Sequence, residues 1–533
     1  MFQIKRRLKG ISTVAFLLVL GATLYPASLS AEPAGVWIAG DFHNHTVLTD
    51  GSQTLEAVLD HGLNRFGLTW IINSEHGGAS ARNLEGRPWS DPAIQPPVVF
   101  KGDEKLDREK RRVMWRWQCL SEVSFPAILE ARQNPKYAGK VILQGLEFNC
   151  PGHEHVSTGI LADSGLPLAE FEYRFDASDT DTSGGPDGKW QGKNHTNDHA
   201  KALQAIAWLD KHYRGRSWFI VNHPERANRY RIEDLRDFNN TAPQVAFGFE
   251  GAPGHHKYKH RGGYGERSFT YADNGQGGAT YGSAGVFLAR VGGVWDALLA
   301  EGRRFFAFAN SDFHHPDPDR DFWPGEYQKT YVYVTGPVTG EAILEAMREG
   351  RSFFVTGDLI DAMEFTVSAG GRSAAMGGVL QTQPGSDVTV TIRLHDPRGK
   401  NALGDEVELN RVDLIGGDVT GPVPKYLEDG KTENPAYKVD TNPSARVLAH
   451  FDSSNWKATG DGWVEMTYTL PKLDRNVYLR LRGTNLPRGT EYESDAEGNP
   501  LNDNLAEKRG LDGLDEARAE QWFYSNPVFV RVR

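Results

Sequence analysis

The stretch VWIAGDFHNHTVLTDG, residues 36–51, decides how this chain is read. Its first half is an apolar run that closes on His43. TLEAVLDHGLNRFG follows at 54–67, with a threonine cap, helical spacing and a closing glycine. A buried strand leading into a helix is the repeating unit of an α/β fold. Within a strand, side chains at i and i+2 share a face, so His43 and His45 can grip one metal ion if the extended geometry persists. Imidazole nitrogen with carboxylate oxygen suits Zn, Mn or Fe. On its own, the pair is weak evidence of a metal site and is more often a capped strand end with exposed imidazoles. The string HNH also names a small ββα nuclease site, but here Thr46, Asp50, Gly51 and a helix follow it. The net charge of -11 also lacks the basic footprint of a nucleic-acid binder. No nucleic-acid partner is expected.

Outward from this stretch the pattern recurs. LTWIINSEH (68–76), KVILQGLEF (140–148), SWFIVNHP (217–224), QVAFGFEG (244–251) and RRFFAFANSDFH (303–314) are near-continuous apolar runs. Such runs suit parallel strands buried on both faces. Helical patterns over 111–134, 197–213 and 286–301 lie between several of them, which predicts α/β architecture. The runs end on His43, His76, Glu147, His223, Glu250 and Asp312. In parallel α/β barrels the C-terminal strand ends converge on one face, where active sites sit. GHEHVSTG (152–159) adds His153 and His155, again at i and i+2, and NSDFHH adds His314 beside Asp312.

A length of 533 residues allows two to four domains. From about 362 the texture changes to short β-rich runs separated by Gly, Pro, Asn and Asp, which predicts an antiparallel β-sandwich over 362–533. At the other end, Lys5, Arg6, Arg7 and Lys9 precede the apolar ISTVAFLLVLGATLYP and small residues near Ser30 and Ala31. This reads as a signal peptide over 1–31, and the mature protein is expected in the periplasm or secreted, without stable membrane insertion. An uncleaved anchor is the alternative, since Leu29 fits poorly if cleavage follows Ala31. No later segment has 18 continuous apolar residues. Cys119 and Cys150 are the only cysteines. An exported pair could bridge, or both could be buried thiols.

The ordered set HxHTxxxDG, SEH, GxE, the GHEH block, NHP and SDxH resembles the PHP family, named for polymerase and histidinol phosphatase domains. The resemblance spans about 36–356 and is most like the exported carbaryl-hydrolase-like (CehA/McbA-type) branch, on the strength of GHEH, ANSDFH and AMREGRSFFVTGD before a β-rich part. It implies a distorted (β/α)7 barrel over 32–361 holding two or three divalent metal ions. Carried over by residue, it implies a first site of His43, His45, Glu147 and Asp312. Glu147 would bridge to a second ion held by His223 and by His155 or His153. Asp50, His76 and His314 match a third. Glu75 stands where the family usually has Asp, and is expected to orient an imidazole.

Adjacent divalent ions acidify a shared water and polarise an electrophile. No G-x-S-x-G elbow is present. The expected function is an exported metal-dependent hydrolase of a small-molecule phosphoester, or of a carboxyl ester, carbamate or amide. Glu147, Asp312 and Arg226 are its candidate catalytic residues. The alternative is a non-catalytic metal-containing protein that binds a polysaccharide or protein partner through the barrel mouth and the sandwich. For substrate binding, the long glycine-rich segment 251–285 offers His255, His256, Lys257 and Arg261, and HPERANRY offers Arg226. Trp323 and Tyr327 are candidate pocket walls or core. EKLDREKRRVMWRWQ (104–118) reads as a solvated helix, and His195 and His199 as surface or loop-packing residues.

Overall fold

The strand Val36–Asp41 pairs parallel with Trp70–Asn73, which pairs parallel with Val141–Gln144. These are the first three apolar runs, and their inward residues Ile38, Trp70 and Ile72 are buried. A computed structural model describes residues 35–265, 267–271, 275, 277–511 and 513–533. The expected signal peptide over 1–31 lies outside the described residues. Residues 35–533 form one compact unit. Among the described residues, no helix is long and apolar enough to cross a membrane.

Among the described residues the architecture is mixed α/β, with an 11-stranded sheet, two 5-stranded sheets and a 2-stranded one. The run KVILQGLEF contributes to two of these. Val141–Gln144 stays in the 11-stranded sheet, while Leu146–Asn149 pairs antiparallel with His155–Ile160 in a 5-stranded sheet. The crossing point is Gly145, where a Cβ would come within 2.8 Å of the Ile72 side chain. A glycine inside a strand pattern marks such close approach. The second sheet continues through Ser217–Val221, Gly248–Ala252 and Phe306–Ala309, the last pairings being parallel. The two sheets meet at isolated parallel bridges, Asn44 with Phe313 and His76 with Glu147. Both bridges lie at or just past C-terminal strand ends, so they draw the ligand-type residues to one place.

The 11-stranded sheet does not stop at the end of the α/β half. Ser352–Thr356 pairs antiparallel with Trp522–Ser525, which leads to Val477–Thr484 and Val528–Val532. A separate antiparallel sheet contains Ala362–Ala369, Ser386–His395 and Trp463–Leu473. Burial alternates along Ala362–Ala369, as expected of a sheet with one face in the core. Phe365, Val390, Ile392, Leu414, Leu479 and Val530 share one apolar cluster with Leu55, Leu59 and Ile71. The β-rich part and the α/β part therefore bury apolar surface against each other. Asp296 and Arg480 reinforce the contact through two buried hydrogen bonds of 2.8 Å.

Local chemistry explains the helices. Thr54 caps Leu55–Leu59 by accepting from the Ala57 amide, and the helix runs on as a π-helical segment to Arg65. The expected helix over 286–301 is split into Val286–Ala289 and Val294–Ala300 around Gly292 and Gly293. The helix expected from residue 104 begins only at Arg116. Upstream, the Asp107 carboxylate accepts from the amides of Glu109 and Arg111, a local turn that competes with helix formation. Cys119 and Cys150 are buried free thiols.

Candidate metal centre

Glu147 is the hub. It is 1% exposed, the second residue of the strand Leu146–Asn149 that follows Gly145. Its Oε1 lies 2.9 Å from His155 Nδ1, 3.0 Å from His43 Nε2 and 3.3 Å from His223 Nε2. Its Oε2 lies 2.8 Å from His76 Nδ1 and 3.1 Å from His45 Nε2. Asp312 Oδ1 stands 3.2 Å from His43 Nε2 and 3.5 Å from His45 Nε2. At the rim, Asp50 is 3.4 Å from both His76 Nε2 and His314 Nε2. Three overlapping groups result: His43, His45, Glu147, Asp312; His76, Glu147, His155; and His45, Asp50, His76, His314. Within each group the ligand atoms lie within 4.8 Å of one another.

Unpaired atoms test whether cations fit. Both ring nitrogens of His45, Glu147 Oε2 and His223 Nδ1 are buried without a hydrogen-bond partner. The 3.1 Å approach of His45 to Glu147 is close in distance but lacks hydrogen-bond geometry. A buried polar group left unsatisfied costs about 1–3 kcal/mol, so such a cluster is expensive unless something bridges it. Imidazole and carboxylate form the donor set of Zn, Mn and Fe sites. The residues present fit divalent metal ions.

The backbone is strained to build this cluster. His223, His255 and Asp312 adopt left-handed φ of 26°, 63° and 46°, which costs on the order of 1–3 kcal/mol for a non-glycine residue. Gly254 lets the next loop close over Asp312, because a Cβ there would sit 2.4 Å from the Asp312 Cβ.

The charges are tightly coupled. Burial opposes protonation of His43, but Asp312, Glu147 and Glu250 outweigh it and hold the imidazole well above its ordinary pKa. Glu147 and Asp50 do the same for His76 against its burial. Burial opposes ionisation of Glu147, yet His155, His43 and His76 hold it well below the carboxylate range. His223 goes the other way, pushed down to about 3 by burial and by Arg226.

Supporting residues fix the rings. Glu250 Oε1 lies 2.7 Å from His43 Nδ1, so that nitrogen keeps its proton and Nε2 is the atom freed for a metal when the other proton is displaced. Glu250 also accepts from Asn310 Nδ2 at 3.1 Å and from the His223 amide at 2.9 Å. Asn222 Nδ2 donates to Glu147 at 3.1 Å. Partners that fix the tautomer of a ligating histidine are a regular part of metal sites. The sequence places Glu250 at a strand end but does not distinguish it from a ligand, and it gives no sign of Asn222. Glu75 does not take the imidazole-orienting role expected of it. It accepts from the Thr46 amide and hydroxyl, from the Thr49 hydroxyl and from Asn73, and so braces the turn after His45.

Of the two histidines in GHEH, only His155 reaches Glu147. The strand begins at His155, so His153 sits in the preceding turn, where the i, i+2 rule does not apply. His153 instead faces His199, at 2.8 Å. His255 joins the cluster, with Nε2 3.1 Å from Asp312 and Nδ1 2.6 Å from Asp321. Arg226 donates from Nη1 to Asp312 at 2.9 Å, and its Nη2 is buried without a partner.

His256 and Arg261, read as substrate-binding, are not brought to this cluster. His256 is buried against Tyr327 and Arg261. The Arg261 guanidinium is enclosed by Asp503, Glu516 and Glu520, with Ser283 and Tyr327 as further partners. A buried arginine needs such compensation, and here carboxylates from the far end of the chain supply it. Trp323 stacks on His61 and Phe313, and Tyr327 is fully buried. His195 is exposed.

No protein-family model matches the chain, and no curated protein sequence does. A solved structure similar to it is that of a two-domain protein from Bacteroides vulgatus, described as containing a predicted PHP-like metal-dependent phosphoesterase. That protein is 12% identical, and the match covers 88% of this chain and 96% of that one at a TM-score of 0.34.

Proposed function

We propose that the chain is an exported, metal-dependent hydrolase of the PHP type that cleaves the ester bond of an anionic small molecule, a phosphoester foremost. The observation that carries this reading is the set of unpaired buried imidazole and carboxylate atoms around Glu147. The part expected over 32–361 is read as a distorted (β/α)7 barrel, drawn together at its mouth by the Asn44–Phe313 and His76–Glu147 bridges. Residues 362–533 are read as a β-sandwich docked on it. The resemblance of residues 36–356 to the carbaryl-hydrolase-like branch supports export and keeps a carboxyl ester or carbamate as the second substrate class.

His43, His45, Glu147 and Asp312 would hold one ion, Glu147 with His155 and His223 a second, and Asp50, His76 and His314 a third. Divalent ions there supply Lewis acidity and acidify a bound water. Arg226 binds and orients the anionic group. Its Nη1 is fixed by Asp312, which leaves Nη2 as an unpaired donor beside the cluster, and a guanidinium fork suits phosphate and carboxylate oxygens. His255 stands on the same carboxylate as a further donor.

Metal quantification on the full chain, combined with a panel of phosphoesters, carboxyl esters and carbamates with Mn or Zn added, tests the reading. Turnover of a phosphoester, abolished by chelation and restored by metal, is expected. Turnover confined to the carboxyl esters would move the substrate assignment to the second class. Intact metal without turnover of any substrate would favour the non-catalytic binding protein.

A further inference from the structure

The histidine that does not reach Glu147 belongs to a second constellation. His153 Nδ1 faces the Arg229 carbonyl at 3.0 Å. A carbonyl only accepts, so this nitrogen carries the proton and Nε2 has the lone pair. His199 Nε2 lies 3.1 Å from Asp237 Oδ2. Lys425 and the Tyr437 hydroxyl also bond that carboxylate, at 2.6 and 2.8 Å, which keeps it ionised and an acceptor. His199 Nε2 therefore carries its proton too, and Nδ1 has the lone pair. The two lone-pair nitrogens, His153 Nε2 and His199 Nδ1, face each other at 2.8 Å.

Two lone pairs at that distance repel unless a positive charge lies between or beside them. Asp234 completes the set. Its Oδ2 accepts from the Arg231 amide at 2.8 Å, while its Oδ1 is 3.5 Å from His199 Nδ1. His153, His199 and Asp234 thus offer ligand atoms within 4.8 Å of one another. Each has its other polar atom held by a separate partner: the Arg229 carbonyl, Asp237 and the Arg231 amide. This is how ligating side chains are oriented in metal sites. The ring planes are fixed as well, His153 stacked on Tyr230 and His199 on Phe238.

We propose that His153, His199 and Asp234 form a further divalent-cation site, of zinc type, separate from the Glu147 centre. Two imidazoles and a carboxylate leave one position open in a tetrahedral zinc site. The site joins the turn before His155 to the starts of the helices His199–Tyr213 and Ile232–Thr241. None of its ligands is used by the hydrolase reading, so it stands or falls independently of it.

The test uses the full chain titrated with Zn²⁺, and with Co²⁺ as a spectroscopic probe, in the wild type, His199→Gln and Asp234→Asn. Asn keeps an oxygen for the Arg231 amide, so the helix cap survives. Each variant is expected to bind one equivalent fewer than the wild type and to lose one set of visible Co²⁺ bands, while metal at the Glu147 centre is retained. If His199→Gln does not fold, Asp234→Asn decides. Equal stoichiometry and Co²⁺ spectra in the wild type and Asp234→Asn would overturn the proposal. So would ¹⁵N spectra of the zinc-saturated chain showing His153 and His199 sharing a proton.

Discussion

Replacing Glu250 with glutamine tests the centre without touching any of its ligands. Glu250 is fully buried and accepts three contacts, from His43 Nδ1, Asn310 Nδ2 and the His223 amide. Glutamine has the same shape but one donor end, and neither orientation suits. With its oxygen toward His43 and Asn310, its amide group meets the His223 N–H, donor against donor. With the amide group toward His43, the ring must take the other tautomer, and Nε2–H then blocks the lone pair that faces Glu147 and Asp312. The first orientation leaves a buried donor unsatisfied, worth about 1–3 kcal/mol of folding stability. The second disables a ligand. Loss of a partner that orients a metal-binding histidine typically weakens metal affinity or activity by about 10–100-fold, or about 1.4–2.8 kcal/mol. The assay is competition with a chelator of known affinity, with ¹⁵N shifts of His43 reporting the tautomer. The expected result is tighter wild-type binding within that range and a shifted His43 signal in the variant. Unchanged affinity with unchanged stability would refute the inference that Glu250 sets the His43 tautomer.

Other perturbations bear on separate parts of the molecule. Arg226→Lys keeps the charge but loses the fork, and kcat/KM for an anionic ester should fall about 10²-fold, as for removal of one oxyanion donor, with metal content unchanged; wild-type kinetics would exclude Nη2 from substrate binding. In the metal-free chain the neighbouring carboxylates raise the pKa of His43 and His76, so both carry protons at neutral pH. Metal binding must displace those protons, and calorimetry in buffers of different ionisation enthalpy should detect their release, with affinity falling as pH falls. The same raised values imply that these ion pairs stabilise the metal-free fold fully below the ordinary imidazole pKa of 6.5, a contribution lost as pH rises through the folded values. Arg480→Ala strands a buried Asp296 and should cost about 3–5 kcal/mol; a loss under about 1 kcal/mol in denaturant unfolding would show that the contact between the α/β and β-rich parts does not depend on this pair.

The centre is legible in the sequence to the extent that its residues sit at the ends of apolar runs. That position follows from a local rule, alternation and burial along one strand, and it holds for His43, His76, Glu147, His223 and Asp312. Other features depend on pairing between distant segments, which no local pattern encodes. Nothing in KVILQGLEF says that its halves join different sheets at Gly145. Nothing in residues 362–533 says that Trp522–Ser525 extends the sheet of Val36–Asp41. Arg261 looks like a free cation in a glycine-rich loop because the acidic groups that enclose it, Asp503, Glu516 and Glu520, lie more than 200 residues away. GHEH misleads differently: the i, i+2 rule is sound, but it needs both residues inside the strand, and the strand starts at the second histidine.

Strain and unpaired atoms together distinguish a metal site from a merely polar cleft. A mouth lined with polar residues for solubility would relax, with each imidazole turning toward water or a carbonyl and each backbone settling at negative φ. Here His223 and Asp312 stay at left-handed φ, with His223 aimed at Glu147 and Asp312 at His43 and His45. His45, at the centre, is fully buried with neither ring nitrogen hydrogen-bonded. Strain of on the order of 1–3 kcal/mol per residue persists only where the surroundings over-determine it. The surroundings here are Glu250, Asn222, Asn310 and the close approach at Gly254, all of which fix direction rather than add apolar burial. A bound cation would satisfy the unpaired nitrogen of His45 and the free oxygen of Glu147 and offset the strain together. The metal-free chain should accordingly be less stable than the loaded one, by an amount that grows with free metal concentration as mass action requires. A Tm independent of added Zn or Mn would break the link between strain and metal on which this reasoning depends.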